Sequence, residues 1–335
     1  MSTDNYLCDL KEYTIKKKSI PYHKKSMLRK KKDKGQKMFL ESPSDISLHS
    51  NFSESEYEEY KFQHLYLLNL IVFRENYKNF VALVNPELEN KAKNPHYSIA
   101  DNKDYRLSHA NGIYFDGTDL YYFNRKNPDS FLRFLGEIEK REERFIIVDI
   151  GTRDHQNIII LDTLTKNGYY FEPHGVKLYF LNAAKQKELD KVFNKAGYRF
   201  YFPDEYYLQL PSYGTDGFQK IESRHKLLSL KANPKLESGG YCFYWSMYFI
   251  NMIIKHPHLP VPNLYQQLLL GLMTLKDKDF HKHIRTYAQR MEKSTVEKYP
   301  DIHKNHDNDI FKYKQQIYLE YFKVFNYHYP KFKLK

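Results

Sequence analysis

The chain has 335 residues, 41% of them apolar, with 31 Tyr and 23 Phe, enough for one large domain with a sizeable core. Its two cysteines, Cys8 and Cys242, argue against a disulfide framework, and its 15 scattered His form no metal-ligand spacing. The formal charge of +12 is concentrated in residues 1–40, which hold 12 Lys/Arg against 4 Asp/Glu, so the body is near balance.

Residues 1–56 read as a disordered basic tail followed by a Ser/Glu-rich linker. The Lys-rich run from Lys16 to Lys37 is open to two readings, a contact with nucleic acid or an anionic surface, or a solubilising tail. Order is expected from Tyr57 to the end of the chain as a single α+β domain. Residues 60–84 have apolar side chains at helical and near-continuous spacing and read as one buried helix. Residues 127–143 read as a second helix, with Pro128 in its first turn and Phe131, Leu132, Leu135 and Ile138 on one face.

The period then changes. Residues 144–151, 157–162, 168–173 and 198–203 are short, β-branched and aromatic, with turn residues between them, as strands are. Residues 182–197 form a helix ended by Gly197. From Tyr241 onward the chain reads as helical, over 241–255, 263–275, 279–293 and 309–325. The expected fold is a mostly antiparallel central sheet packed on the buried helix that carries Cys242, with helical flanks. No run is long and apolar enough for a membrane span or a secretory signal; the run at 242–254 is broken by Ser246 and Asn251. The expected location is intracellular.

Nucleophilic catalysis by a thiol needs a base beside it and a group to orient that base. A hairpin over residues 155–172 brings its two ends together, so His155 can approach Glu172. Cys242 falls in the first turn of an apolar helix, where free amides and the helix dipole favour a thiolate. His174 competes for the base role but reads as a turn or substrate-side residue. Asn157, Asp162 and Trp245 read as structural. His109 heads a partial echo, "HANGIYFDGTDLYYFN", which ends in Asn124 where the other copy has Glu172.

These residues carry a resemblance. "YYFEPHG" resembles the FEP-x-G segment of the adenain family of viral proteases, and the 17 residues from His155 to Glu172 match that family's His-to-Glu spacing. The order His, acid, Cys is also that of the wider clan of SUMO- and ubiquitin-like-specific proteases. A nearer likeness is to proteins of large DNA viruses with H-x-N, FEPHG and G-[YF]-C-x-x-W-[ST], here "HQN", "FEPHG" and "GYCFYWS". The likeness covers residues 144–257, leaving the helices after residue 263 outside it.

The resemblance implies a circularly permuted papain-like fold and a cysteine peptidase or isopeptidase acting on a protein substrate, in a virion or host cytoplasm. Cys242 is then nucleophile, His155 base and Glu172 orienting acid. Gln219 is the match for the glutamine that helps the cysteine amide hold the oxyanion, although it lies 23 residues before Cys242, further than in the family. Gln156 stands where many members have Trp. Tyr170, Gly240, Tyr241 and Tyr244 are expected along a substrate groove. No cofactor or metal is implied. The alternatives to the peptidase reading are a catalytically inactive structural or nucleic-acid-associated virion protein that keeps the fold, and an acyltransferase of the same clan.

Overall fold

The structure, a computed structural model, describes residues 57–93, 112–152, 155–176, 181–222, 241–275, 277–302 and 310–325. The expected tail with its Lys16 to Lys37 run, residues 109–111 at the head of the echo motif, and Gly240 lie outside them, whereas the rest of that motif is described.

The first apolar stretch is not one helix. α1 (Tyr57–Asn76) ends where the Arg74 side chain turns onto the carbonyls of Lys78 and Phe80, and the chain re-enters the core as strand β1 (Phe80–Leu83). All four β1 residues are buried, so the strand shows no alternation and cannot be told from a buried helix by period. After α2 (Glu87–Lys93), two three-residue strands, β2 (Ile113–Phe115) and β3 (Leu120–Tyr122), form a hairpin. Asp116 closes it by accepting from the amides of Thr118 and Asp119, both at 2.8 Å. α3 (Asp129–Ile138) buries Phe131, Phe134, Leu135 and Ile138, while Leu132 is only partly covered.

The long strands follow: β4 (Phe145–Thr152), β5 (His155–Asp162) and β6 (Asn167–Phe171). α4 (Ala183–Lys195), capped by Asn182, leads into β7 (Arg199–Tyr201) and the one-turn α5 (Pro203–Tyr206). The sheet runs β3-β2-β4-β5-β6-β7, with β1 sharing the edge of β4 with β2. It is antiparallel along β4-β5-β6 and parallel where β1, β2 and β7 join, a mixed sheet rather than the mostly antiparallel one expected.

α6 (Cys242–Lys255) packs on β5, and every residue from Phe243 to Ile254 is buried. A helix apolar on all sides must be wrapped on all sides. α7 (Val261–Met273), α8 (Asp277–Lys298) and α9 (Ile310–Phe325) complete the wrapping. The last of these helices lies on α1, with the Tyr321 hydroxyl donating to the carbonyl of Ala82 at 2.7 Å and Phe325 edge-on to Phe80. Among the described residues no helix is long and apolar enough to cross a membrane.

Candidate active site

The β5–β6 hairpin makes half of the site. Its turn follows Asp162, whose Oδ1 accepts from the amides of Leu164 and Thr165, and Lys166 takes a left-handed conformation at φ 55°. The register pairs Ile158 with Phe171, so extending it past the strand end sets Asn157 opposite Glu172 and His155 opposite His174. His155 and Glu172 are therefore diagonal neighbours on one face, within reach of long side chains. Their contact is made: His155 Nε2 lies 2.7 Å from Glu172 Oε1.

Glu172 is fully buried, and its backbone is clamped. Its amide donates to the Tyr207 hydroxyl at 2.8 Å, and that hydroxyl donates back to the Glu172 carbonyl at 2.9 Å. Its Oε1 also accepts from the amide of His174 at 2.9 Å. With the backbone and one carboxylate oxygen held, the carboxylate has a single direction to face, towards the imidazole.

Cys242, the first residue of α6, makes the other half. The residue is partly exposed, and its free thiol is hydrogen-bonded to both the His155 ring and the backbone amide of Gln156. The Ser246 hydroxyl, one turn on, donates to the Gln156 carbonyl, so the helix start is fastened to the strand beside His155. With Nε2 engaged by Glu172, Nδ1 is the ring nitrogen left for the sulfur.

The electrostatics follow from this order. Burial alone would push the Cys242 thiol up, but the neighbouring His155 charge, its hydrogen bond and the Gln156 amide together bring it below its ordinary value of 9.0. Glu172 opposes that weakly, being the last of the influences on the sulfur. For His155, burial favours the neutral ring, yet the charges of Glu172 and Cys242 prevail and lift it to about 10. The arrangement favours a thiolate–imidazolium pair across neutral pH.

A second strand of chain locks onto the "FEPHG" segment. Gly217 donates to the His174 carbonyl at 3.0 Å, Gln219 to the Pro173 carbonyl at 2.8 Å, and Val176 to the Thr215 carbonyl at 3.1 Å. A Cβ on Gly217 would lie 2.4 Å from the Pro173 oxygen, and one on Gly175 (φ 99°) would lie 2.3 Å from the Gly217 nitrogen. Both positions need glycine so that the backbones can meet. The segment continues into a helical turn that docks on α6: Phe218 lies 5.3 Å from the Trp245 ring, and Trp245 Nε1 donates to Glu222 Oε2 at 2.9 Å. Gln219, buried between these two contacts, thus belongs to the same block as Glu172 and the first turn of α6. Although 22 residues lie between Gln219 and Cys242, the turn that carries Gln219 docks on the helix that Cys242 begins.

The remaining expected residues are placed as follows. His174 lies with its ring centroid 4.8 Å from that of His155, tilted by 49°. Burial first, then the charges of His155 and Lys220, bring His174 down to about 4, so it is neutral beside the imidazolium. Tyr170 is not on a groove. It is 1% exposed, its hydroxyl accepts from Asn157 Nδ2 at 2.6 Å and its carbonyl from the Tyr206 hydroxyl. The correction has a simple cause: the sheet is covered on both faces, so alternate residues of β6 are all buried. Tyr244 is likewise buried, with its hydroxyl on Glu292 Oε1 at 2.5 Å. Tyr241 is half-buried at the entrance to α6. Tyr207 and the Gly175–Gly217 contact had no signal in the sequence. Among the described residues no group of three His, Cys, Asp or Glu could hold a metal ion.

Comparison with protein-family models, with curated proteins and with solved structures finds no match to this chain.

Proposed function

We propose that the chain is a cysteine peptidase or isopeptidase acting on protein substrates, built on a papain-like arrangement of a cysteine helix against a sheet hairpin. The observation that carries this reading is the unbroken hydrogen-bonded series Cys242–His155–Glu172, with the thiol lowered and the imidazole raised. That is the constellation nucleophilic thiol chemistry requires, a free thiol with its base and the base's orienting acid already in contact.

In this mechanism the Cys242 thiolate adds to the scissile carbonyl carbon. The oxyanion is held by the Cys242 amide at the start of α6 and by the side-chain amide of Gln219. Collapse breaks the C–N bond, and the His155 imidazolium gives its proton to the leaving amine. A water, deprotonated by the now neutral His155, attacks the thioester and releases the acid and the thiolate. Throughout, Glu172 keeps Nε2 oriented and stabilises the imidazolium without taking its proton.

The test is labelling with a ubiquitin- or SUMO-vinyl probe and with iodoacetamide, comparing wild type with Cys242→Ala and His155→Ala. Cys242 should react near neutral pH far faster than a free thiol, and His155→Ala should abolish the advantage. A wild-type Cys242 no more reactive than glutathione at pH 6–7 would overturn the reading.

A further inference from the structure

The base has a neighbour that the mechanism above leaves unused. His174 lies across the hairpin from His155, with its ring centroid 4.8 Å from that of the base. His155 is buried and His174 only half-buried, so the second ring is the one that reaches the surface. Its backbone is fixed on both sides: the amide donates to Glu172 Oε1 at 2.9 Å, and the carbonyl accepts from the Gly217 amide at 3.0 Å. The imidazole is therefore held at a set place against the base.

The same backbone pairing brings in a cation. Gly217 and Gln219 donate to the carbonyls of His174 and Pro173, and Lys220 is the next residue on that stretch of chain. Lys220 is half-buried, and its charge acts on the His174 ring, after burial and the His155 charge, to keep that ring neutral. Nucleophile, base and cation are thus one series: Cys242 is hydrogen-bonded to His155, His155 lies against His174, and His174 feels Lys220. None of the acids in this block answers the cation. Glu172 serves His155, Glu222 takes the Trp245 indole N–H, and Asp216 is buried. Lys220 forms no ion pair or hydrogen bond among the described residues. A half-exposed ammonium without a counter-charge, beside a neutral imidazole with one N–H to give, suits a single carboxylate.

The mechanism says which part of a substrate this corner meets. His155 hands its proton to the leaving amine, so that amine must come up to the base. The residues that follow the scissile bond then pass the ring beside it.

We propose that His174 and Lys220 form a substrate subsite on the leaving-group side, which takes the carboxylate of an Asp or Glu shortly after the scissile bond. The inference rests on the thiol-peptidase reading above. Lys220 supplies the charge and His174 the N–H, and the place of that ring against His155 keeps the subsite close to the cut.

The test maps cleavage sites by mass spectrometry in a proteome-derived peptide library, for the full chain and for Lys220→Gln, Lys220→Glu and His174→Gln. The best wild-type sequence is then made as a quenched fluorescent peptide with Glu or Gln at the selected position. Wild type should enrich Asp/Glu at one position after the cut and prefer the Glu peptide by about 5- to 10-fold in kcat/KM, the scale of an ion pair at a partly exposed rim. Added salt should shrink that preference, as it would not for a purely structural effect. Lys220→Gln should bring the ratio near one, Lys220→Glu should favour Lys or Arg there, and His174→Gln, which keeps an N–H donor, should retain part of it. Thermal melting of each variant shows that it folds, and the Glu-to-Gln ratio is read within each protein. Cleavage without acidic preference after the cut, or a preference that survives in Lys220→Gln, overturns the subsite and leaves the peptidase intact. Absence of cleavage overturns the subsite, and an ordinary Cys242 thiol along with it overturns both.

Discussion

Replacing Glu172 by Gln preserves shape and removes one charge from the centre of the site. The carboxylate lies 2.7 Å from His155 Nε2, fully buried, and a charge-assisted hydrogen bond of this kind is worth about 1.5–3 kcal/mol net. At 1.36 kcal/mol per unit, that is about one to two units off the imidazolium. The same charge also acts on Cys242, in the sense that disfavours the thiolate, so its removal helps the sulfur slightly. The nearer partner decides the sign, and the imidazolium should give up its proton about one to two pH units lower. The assay is the rate of iodoacetamide alkylation from pH 4 to 10 in a Cys8→Ser background, where Cys242 is the only thiol. Wild type should show a raised plateau that begins below the ordinary thiol range and lasts until His155 deprotonates near pH 10. Glu172→Gln should keep the plateau near neutral pH but leave it about one to two pH units earlier than wild type. Superimposable profiles would refute the reasoning, because a carboxylate this close cannot be silent if the imidazolium is formed.

Two further outcomes test the frame around the site. Tyr207→Phe deletes the hydroxyl that serves both the amide and the carbonyl of buried Glu172, and should cost about 1–3 kcal/mol in urea unfolding; an unchanged midpoint would show the clamp to be idle. Asp149, on β4, is buried with its Oδ1 lacking a partner among the described residues, and burial lifts it to about 8. Since it stays protonated in the fold but ionises near 3.9 when unfolded, its contribution is intact below about pH 4 and lost as pH rises towards 8. Asp149→Asn should therefore flatten the decline of stability over that window by about 1.4 kcal/mol per pH unit, read from urea midpoints at pH 5, 6 and 7.

What the sequence made legible was the part of the site held by local chain. His155, Asp162, the turn and Glu172 belong to one hairpin, so strand period and turn residues were enough to bring the ends together. α6 was legible because its run of apolar residues is interrupted only at Ser246 and Asn251 before Lys255. β1 was not, because a strand buried on both faces loses its alternation and merges with the helix before it. β2 and β3 are too short, at three residues each, to show a period at all. Tyr170 was misplaced for the reason that hid β1, a sheet with both faces covered. Tyr207 and Gly217 act through contacts distant in sequence, and a lone tyrosine or glycine carries no pattern that announces its partner.

The division of the site between a hairpin and a helix has a consequence for how reactivity arises as the chain folds. Glu172 and His155 are 17 residues apart and can meet as soon as the hairpin closes, whereas Cys242 arrives seventy residues after Glu172. Closing a loop of that length is a late and costly event compared with forming a hairpin. Until α6 seats its first turn against Gln156, the sulfur is an ordinary thiol, mostly protonated near neutral pH. The Cys242 thiolate is thus formed by a long-range contact rather than carried as a reactive group through synthesis. A partly folded chain would be harmless to its neighbours and to itself.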